Sequence, residues 1–336
     1  MVKKDVSVSV IIPIRNEERY IKKCLESLMN QDFSKNDMEI IFVDGLSEDR
    51  TVEILTEYIE KYSGLISVLE NKNKTVPYGM NIGIKKSKGK FIIRMDAHSE
   101  YNNDYISKCV YFLNNTKADN VGGVAETKSK GFVGKAIAMM LSSPFGVGNS
   151  SFRINGKDGY VDTVPFGAFK RDVFDKYGFY DERLTRNQDN EMNYRIRKNG
   201  GLIYLSNDIK LTYYSRDTLK GIGNMAFKNG MWNIITYYLC PGSMSVRHFI
   251  PLVFVTSIIG SIIFKLIFWN SVLNYFFLFE FLIYILIDLV FAIKIGKENG
   301  LKFIPVLLLL FPYFHIIYGI GSIWGILKIF KDKIFK

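Results

Sequence analysis

The stretch VSVSVIIPIRNEERYIKKCLESLMN, residues 6–30, contains the strand-then-helix pattern that decides the fold class. Its apolar run, residues 6–12, predicts a buried strand, and Asn16 is expected to cap a helix that ends near Asn30. The pattern repeats, with predicted strands at 39–43, 66–69 and 91–95 and predicted helices at 47–62 and 77–86. Strands that alternate with helices of this length predict an α/β fold with a mostly parallel, Rossmann-like sheet flanked by helices.

Polar residues stand at the predicted carboxyl ends of these strands, where ligands bind in open parallel sheets. Asp44 ends the run IIFVD, and its carboxylate could accept hydrogen bonds from a ribose hydroxyl or a base N–H; an Asx-turn or a helix cap is the alternative. Asp96 and His98, in FIIRMDAHSEY, are spaced so that both side chains can hold one cation. Carboxylate and imidazole suit Mn²⁺ or Mg²⁺ bridging a diphosphate, although an isolated D-x-H is more often a surface turn.

A third polar element is QDNEMNYRIRKNG, residues 188–200, which predicts a helix ended by glycine. Asp189 lies in its first turn, where a carboxylate could act as a general base toward an attacking hydroxyl. Arg195 and Arg197 could pair with acids or with phosphate, and an amphipathic surface helix is the alternative. Neither GxGxxG nor GxxxxGK[ST] occurs, so a dinucleotide site or a P-loop is not indicated.

Together, these elements resemble the family-2 glycosyltransferases of the GT-A fold. The matching stretches, which cover most of residues 7–205, are VSVIIPIRNEERYIKKCLESL, IIFVDGLSEDRT, GMNIGIKKSKGKFIIRMDAH and VPFGAFKRDVFDKYGFYDERLTRNQDNEMNYRIRKNG. The D-x-H step, the stretch VDTVPFGAFKR and an apolar tail are most similar to the exopolysaccharide (succinoglycan-type) branch.

The resemblance implies a role for each matching residue. Pro13, Arg15 and Glu17 match the motif that lines the nucleotide base, and Asp44 matches an acid that contacts the uracil or the ribose. Asp96 and His98 match the D-x-D step, which holds the metal and the donor diphosphate. Asp189 matches the catalytic base of an inverting displacement.

Several positions depart from the family pattern. Gly45 stands where a second Asp is usual, so base recognition is expected to depend on Asp44 alone. Met80 replaces the Arg of A-R-N-x-G; Asn81 remains as a donor-binding residue, and a phosphate contact is expected to move to Arg94.

The acceptor side also departs from the pattern. Gln188 replaces the Glu before the base and is grouped with Glu191 and Arg195 around the acceptor. The motif Q-x-x-R-W is absent, which argues against a processive polymer synthase.

The composition changes abruptly near residue 248. The 44 Lys and Arg against 33 Asp and Glu give a net charge of +11, and the mean hydropathy is +0.06. From Phe249 onward the sequence is strongly apolar, with segments 249–269, 272–293 and 303–327 each long enough to cross ~30 Å of hydrocarbon. Because no nucleic-acid motif occurs, the positive charge is attributed to attraction to an anionic membrane surface, and no nucleic-acid partner is expected.

Charges and prolines set the expectations for the apolar tail. Lys265 and Glu280 are predicted to pair across a hairpin that turns near residues 271 and 272. Pro305 and Pro312 predict a re-entrant or broken final segment with a cytoplasmic, lysine-rich end. The catalytic part would then be cytoplasmic in an integral protein of the cell membrane.

The predicted organisation has three parts. Residues 1–215 form the GT-A domain, with a nucleotide-sugar half at 1–100 and an acceptor half at 101–215. Residues 216–248 form an amphipathic interfacial segment, and residues 249–336 form a membrane domain of transmembrane helices.

The expected activity is metal-dependent, inverting hexosyl transfer in cell-surface polysaccharide synthesis. The donor would be a nucleotide sugar, with UDP as the expected nucleotide, and the acceptor a hydroxyl of a lipid-linked (polyprenyl) saccharide. One alternative is a polyprenyl-phosphate glycosyltransferase that makes a lipid-phosphate sugar. Another is a non-catalytic membrane scaffold that binds nucleotide sugar. The sequence leaves the sugar, the linkage and the oligomeric state open.

Overall fold

The chain divides into two compact units in the computed structural model, which describes residues 6–154, 156–267 and 272–334. Unit 1 comprises Met1–Glu126 and Ser151–Tyr214, and unit 2 comprises Thr127–Ser150 and Ser215–Lys336. The segment Thr127–Ser150, placed by the predicted boundaries in the acceptor half, therefore groups with the C-terminal part of the chain.

Unit 1 is built around one sheet to which, within the described residues, nine strands contribute in the order β3-β2-β1-β4-β8-β6-β9-β5, with β7 paired to β9. The strands are β1 (Val8–Ile14), β2 (Met38–Asp44), β3 (Ile66–Glu70), β4 (Phe91–Arg94), β5 (Ser99–Tyr101), β6 (Asn120–Lys128), β7 (Gly159–Tyr160), β8 (Ala168–Lys170) and β9 (Ile203–Tyr214). The pairs among β1 to β4 are parallel, whereas β8 joins β4 and β6 in antiparallel pairs, and β9 joins β5 and β7 likewise. The predicted α/β sheet flanked by helices is confirmed, but it is mixed rather than mostly parallel.

Helices cover both faces of this sheet. They are α1 (Ile21–Met29), α2 (Thr51–Lys61), α3 (Val76–Lys86), α4 (Tyr105–Asn115), α7 (Asp172–Tyr177) and α8 (Gln188–Lys198). In β1, Val10 and Ile12 belong to one core with Leu25 of α1, while Ile11 belongs to a second core with Ile84 of α3. Burial on both faces explains why this strand reads as a continuous apolar run.

The predicted helix cap at Asn16 is wrong, because α1 begins only at Ile21. Asn16 adopts a left-handed conformation with φ 57°, which asparagine tolerates better than most residues. Its Oδ1 accepts a hydrogen bond from the Glu48 N–H at 2.8 Å, and its own N–H donates to the Ser47 hydroxyl at 2.9 Å. Asn16 therefore joins the loop after β1 to the loop after β2.

Unit 2 is helical. Its helices are α5 (Gly131–Leu141), α6 (Pro144–Val147), α9 (Leu219–Leu239), α10 (Ile250–Ile267), α11 (Val272–Asn299) and α12 (Ile304–Ile334). Among the described residues, Ile250–Ile267 and Leu301–Lys331 are long and apolar enough to cross a membrane. The end of the predicted segment 249–269 and the predicted turn at residue 271 lie outside the described residues.

Helices α9 and α12 approach each other at glycines. A Cβ on Gly230 would lie 2.0 Å from the Tyr318 carbonyl oxygen, and one on Gly321 would lie 2.1 Å from the Phe227 carbonyl oxygen. Glycines thus allow the backbones of these two helices to pack closely. One face of α9 packs on α12, and the membrane-surface location of residues 216–248 stays a prediction.

The predicted break in the last segment is wrong, since α12 runs without interruption from Ile304 to Ile334. Pro305 lies in its first turn, where a missing N–H removes no helical hydrogen bond. Pro312 lies inside the helix and is accommodated there.

The predicted ion pair between Lys265 and Glu280 is also wrong. Glu280 Oε1 accepts a hydrogen bond from the Ser257 hydroxyl at 2.6 Å. Ser257 lies about two turns before Lys265 on α10, so the two helices are offset from the predicted register. No ion pair joins Lys265 to Glu280 in the part of the chain that the structure describes.

Candidate active site

Arg94, the last residue of β4, lies between two carboxylates at the carboxyl end of the sheet. Its Nη1 donates to Asp189 Oδ1, and its Nη2 donates to Asp96 Oδ1 at 3.3 Å. The Arg94 side chain is 4% exposed, whereas that of Asp189 is 28% exposed. The structure therefore brings together the predicted base and the predicted metal ligand, with a buried guanidinium bridging them.

The charges in this cluster depend on one another. Burial alone would lower the pKa of Arg94, but the Asp189 and Asp96 carboxylates raise it well above its usual range, so the guanidinium is charged. Burial raises the pKa of Asp189, and the Arg94 guanidinium opposes that rise. Arg94 thus favours the ionised form that a base requires.

The turn after β4 places Asp96 and His98. The Asp96 N–H donates to the buried Tyr101 hydroxyl at 2.7 Å, which fixes the turn independently of Arg94. His98 Nδ1 lies 3.3 Å from Glu17 Oε1, so a residue predicted to line the nucleotide base contacts a predicted metal ligand. All three acidic and imidazole groups are partly exposed, as a ligand site requires.

Helix α8 carries Asp189, and hydrogen bonds of buried amide side chains hold the helix in place. The Asn120 Nδ2 donates to Asn193 Oδ1 at 2.6 Å, and the Asn193 Nδ2 donates to the Thr163 hydroxyl at 2.8 Å. Asn193 lies one helical turn after Asp189, so this network fixes the backbone that presents the carboxylate. The sequence analysis did not identify this network. The position of Asn193, four residues after Asp189 in the predicted helix, is the signal that could have indicated it.

The loops after β1 and β2 hold the predicted nucleotide residues. Asp44 accepts from the Ser47 N–H at 3.1 Å and from the Ser47 hydroxyl at 2.6 Å, so its carboxylate forms the local turn that was its alternative interpretation. Pro13 pairs with Val43 within the sheet, and Arg15 lies 4.0 Å from Glu48. Nucleotide contact by these residues stays a prediction.

Asn81, predicted to bind the donor, is buried, and its side-chain amide forms hydrogen bonds within the protein. Its Nδ2 donates to the Tyr180 carbonyl oxygen and to Glu182 Oε1, both at 2.9 Å, and its Oδ1 accepts from the Tyr180 N–H. Asn81 therefore fastens the loop that leads toward α8, and its donor contact stays a prediction. Met80, which replaces the usual Arg, is fully buried in the core.

The residues predicted to surround the acceptor mainly contact other protein groups in the structure. Glu191 is buried and accepts two hydrogen bonds from Arg195, at 2.9 and 2.7 Å. Arg195 also donates to the Tyr177 carbonyl oxygen, which ties α8 to α7. Gln188 is buried, and its Oε1 has no partner among the described residues.

The chain is similar in sequence to known glycosyltransferases. A sequence model described as glycosyl transferase family 2 matches residues 9–178, half of the chain. A Methanococcus voltae relative, dolichyl N-acetyl-alpha-D-glucosaminyl phosphate 3-beta-D-2,3-diacetamido-2,3-dideoxy-beta-D-glucuronosyltransferase, is 27% identical over 96% of this chain and 97% of its own. The succinoglycan biosynthesis protein ExoA of Rhizobium meliloti is 25% identical over 78% of this chain and 79% of its own.

Solved structures show the same fold. The mannosyltransferase PcManGT from Pyrobaculum calidifontis, in complex with GDP-Man and Mn²⁺, gives a TM-score of 0.61 at 15% identity, covering 96% of this chain and 90% of that one. TarS 1–349 of S. aureus, in complex with UDP, gives a TM-score of 0.51 at 16% identity, covering 94% and 90%. The fold, the matched sequence model and the full-length relatives lead to one conclusion: the chain belongs to glycosyl transferase family 2 and has the GT-A fold.

Proposed function

We propose that the protein transfers a sugar from a nucleotide-sugar donor, with UDP as the expected nucleotide, to a hydroxyl of a lipid-linked saccharide, and inverts the anomeric configuration. The observation that carries the proposal is the Asp189 carboxylate, held through one oxygen by Arg94 beside the turn that bears Asp96 and His98. A carboxylate next to the residues expected to hold the metal and the donor diphosphate supports the role of Asp189 as the base.

Asp189 is the group suited to remove the acceptor's proton. Its Oδ1 is held by Arg94, and the 28% exposure of its side chain leaves Oδ2 for an incoming hydroxyl. As that proton passes to Asp189, the acceptor oxygen bonds to the anomeric carbon from the face opposite the diphosphate. The bond from this carbon to the diphosphate breaks, and the nucleoside diphosphate leaves with the electron pair. One displacement of this kind inverts the anomeric carbon.

Asp96 and His98 are the residues that would hold a divalent cation. A carboxylate and an imidazole two residues apart are suitable Mn²⁺ or Mg²⁺ ligands, and both are partly exposed. Among the described residues there is no group of three or more His, Cys, Asp and Glu that could hold a metal ion. The remaining ligands would therefore come from the donor diphosphate and water, as is usual at phosphate-binding sites. When bound, the cation would offset negative charge on the leaving diphosphate.

The lipid-linked acceptor is supported by two observations. The Methanococcus voltae relative, similar over nearly its whole length, is named for transfer to a dolichyl-linked sugar phosphate. The two long apolar helices would hold the enzyme at the membrane that contains such an acceptor. The proposal includes the sequence-based expectation that the protein is integral to the membrane and that its catalytic unit is cytoplasmic.

The test is a screen of radiolabelled nucleotide sugars against membrane lipid extracts, using the full-length protein with Mn²⁺. We expect label in a lipid-linked saccharide, in a product that Asp189→Asn protein does not form. Label on bare polyprenyl phosphate would instead assign the chain to lipid-phosphate sugar synthesis. Nucleotide-sugar binding without any transfer or hydrolysis would identify a scaffold and contradict the proposal.

A further inference from the structure

Arg94 is the residue whose observed contacts depart most from its expected role. A guanidinium that binds donor phosphate must present its N–H groups to the ligand. Both terminal nitrogens of Arg94 instead face Asp189 and Asp96, and only 4% of the side chain is exposed. These contacts to two protein acids point to a different role for Arg94.

We propose that Arg94 is a positioning residue: it orients Asp189 as the base, and it releases Asp96 when a divalent cation binds there. This inference rests on the proposed function and deepens it. The bond to Asp96, at 3.3 Å, is at the long end for a hydrogen bond, so it is the one suited to exchange. The bond to Asp189 keeps Oδ1 occupied and leaves the second oxygen for the acceptor hydroxyl.

The position of Arg94 is fixed from several sides. Its backbone N–H donates to the Gly167 carbonyl oxygen at 3.0 Å, and its guanidinium lies 5.7 Å from the centre of the Phe166 ring. Phe166 has φ 45°, a conformation that bulky residues rarely adopt and that the surrounding structure must impose. The turn at Phe166–Gly167 thus holds the backbone of Arg94 through a carbonyl oxygen and its guanidinium through a ring.

The two carboxylates are placed on the backbone without help from Arg94. Asp96 is held through its N–H by Tyr101, and α8 is held through the buried amide of Asn193. Loss of the guanidinium therefore leaves both acids in place but removes their shared partner. Lysine cannot substitute, because one ammonium cannot span two carboxylates in the fixed geometry of a guanidinium.

Two variants of the full-length protein test the proposal, with Arg50→Lys as the matched control at an exposed Arg–Glu53 pair. In Arg94→Met protein the competing positive charge at Asp96 is gone. Without donor or acceptor present, we expect Mn²⁺ to bind roughly tenfold more tightly than in wild type. The readout is the loss of the free Mn²⁺ signal in electron paramagnetic resonance.

The variant Arg94→Lys keeps the positive charge but loses the two terminal nitrogens with which the guanidinium contacts both carboxylates. We expect kcat to fall by about 10²-fold, the cost of a misplaced catalytic group, while the donor KM stays within about threefold of wild type. A raised donor KM with unchanged kcat would assign Arg94 to phosphate binding and overturn the proposal. Unchanged or weaker Mn²⁺ binding in Arg94→Met would overturn it as well.

The Mn²⁺ titration and the transfer kinetics together distinguish a failure of this inference from a failure of the proposed function. If the wild type transfers no sugar while Arg94→Met still binds Mn²⁺ more tightly, the exchange at Asp96 stands and the proposed function fails. If Arg94→Met protein does not fold, Arg94→Gln replaces it in the same titration, since it also removes the charge. Arg50→Lys should match wild type in both measurements.

Discussion

The two units differ in the buried polar groups that they contain. Unit 1 buries charge, with Arg94 between Asp189 and Asp96. Unit 2 contains neutral buried hydrogen bonds, such as that between Asn233 and Tyr318. Ionised pairs pay a large desolvation cost, so they persist where their charge has a use. The difference agrees with our proposal that unit 1 carries the chemistry and that the apolar helices of unit 2 contact the membrane.

A network around His315 in unit 2 is an example of hydrogen bonds between neutral groups. His315 Nε2 lies 2.9 Å from the Phe145 carbonyl oxygen, which can only accept, so Nε2 carries the proton. His315 Nδ1 then accepts from the Tyr284 hydroxyl at 2.9 Å. Asp288 is an exception to the comparison: it is 1% exposed, and its Oδ1 has no hydrogen-bond partner among the described residues.

The largest expected effect tests charge in unit 1. Asp189→Asn removes the base but keeps the shape of the side chain, so sugar transfer should fall by about 10²–10⁴-fold with donor affinity nearly unchanged. Initial rates with radiolabelled donor, together with UDP titrations, measure both quantities. Asp175→Asn, at an exposed carboxylate on α7, is the control. Transfer by Asp189→Asn at the wild-type rate would remove Asp189 from the chemistry.

The next effect tests close packing in unit 2. Gly230→Ala forces a methyl group against the Tyr318 carbonyl oxygen, and we expect it to destabilise the protein by about 3 kcal/mol. Thermal unfolding of the full-length protein measures the change. Gly260→Ala is the matched control, because a Cβ there meets no described atom within 4 Å, and it should leave the melting temperature unchanged or raise it. Equal melting temperatures for the two variants would contradict the packing argument.

A smaller effect tests the support of α8 in unit 1. Asn193→Ala leaves the buried amide of Asn120 without its partner, which should cost about 2 kcal/mol of unfolding free energy. Asn115→Ala, at an exposed amide that bonds only within its own helix, provides the comparison in denaturant unfolding. A cost at Asn115 as large as that at Asn193 would show that the buried network does not stabilise α8.

The smallest effect tests the neutral network of unit 2. Tyr284→Phe removes one hydrogen bond to His315 and should cost about 1 kcal/mol. Tyr275→Phe, on an exposed face of the same helix, should leave the melting temperature at the wild-type value. If Tyr284→Phe were as harmless as its control, the network would contribute no net stability.

Periodicity in the sequence predicted the first half of unit 1, because its long buried strands and intervening helices have clear patterns. The short strands β7 and β8, of two and three residues, carry no such pattern, and the longer β6 and β9 were not predicted either, so the antiparallel part of the sheet was missed. The site was predicted only by residue type. Arg94 and Asp189 are 95 residues apart, and no local signal could show that the guanidinium faces two acids rather than a phosphate.

The path of the chain between the units determines how the catalytic part could be isolated. A truncation after Tyr214 would keep Thr127–Ser150 but remove α9 and α12, exposing apolar residues of α5 such as Ile137 and Leu141. The Ala125 N–H donates to the Phe152 carbonyl oxygen at 2.9 Å, so the two ends of this excursion lie side by side in unit 1. A linker of about four residues in place of residues 127–150 would therefore join the two segments of unit 1 directly. It would also remove α5, so that no apolar helix is left without its packing partners.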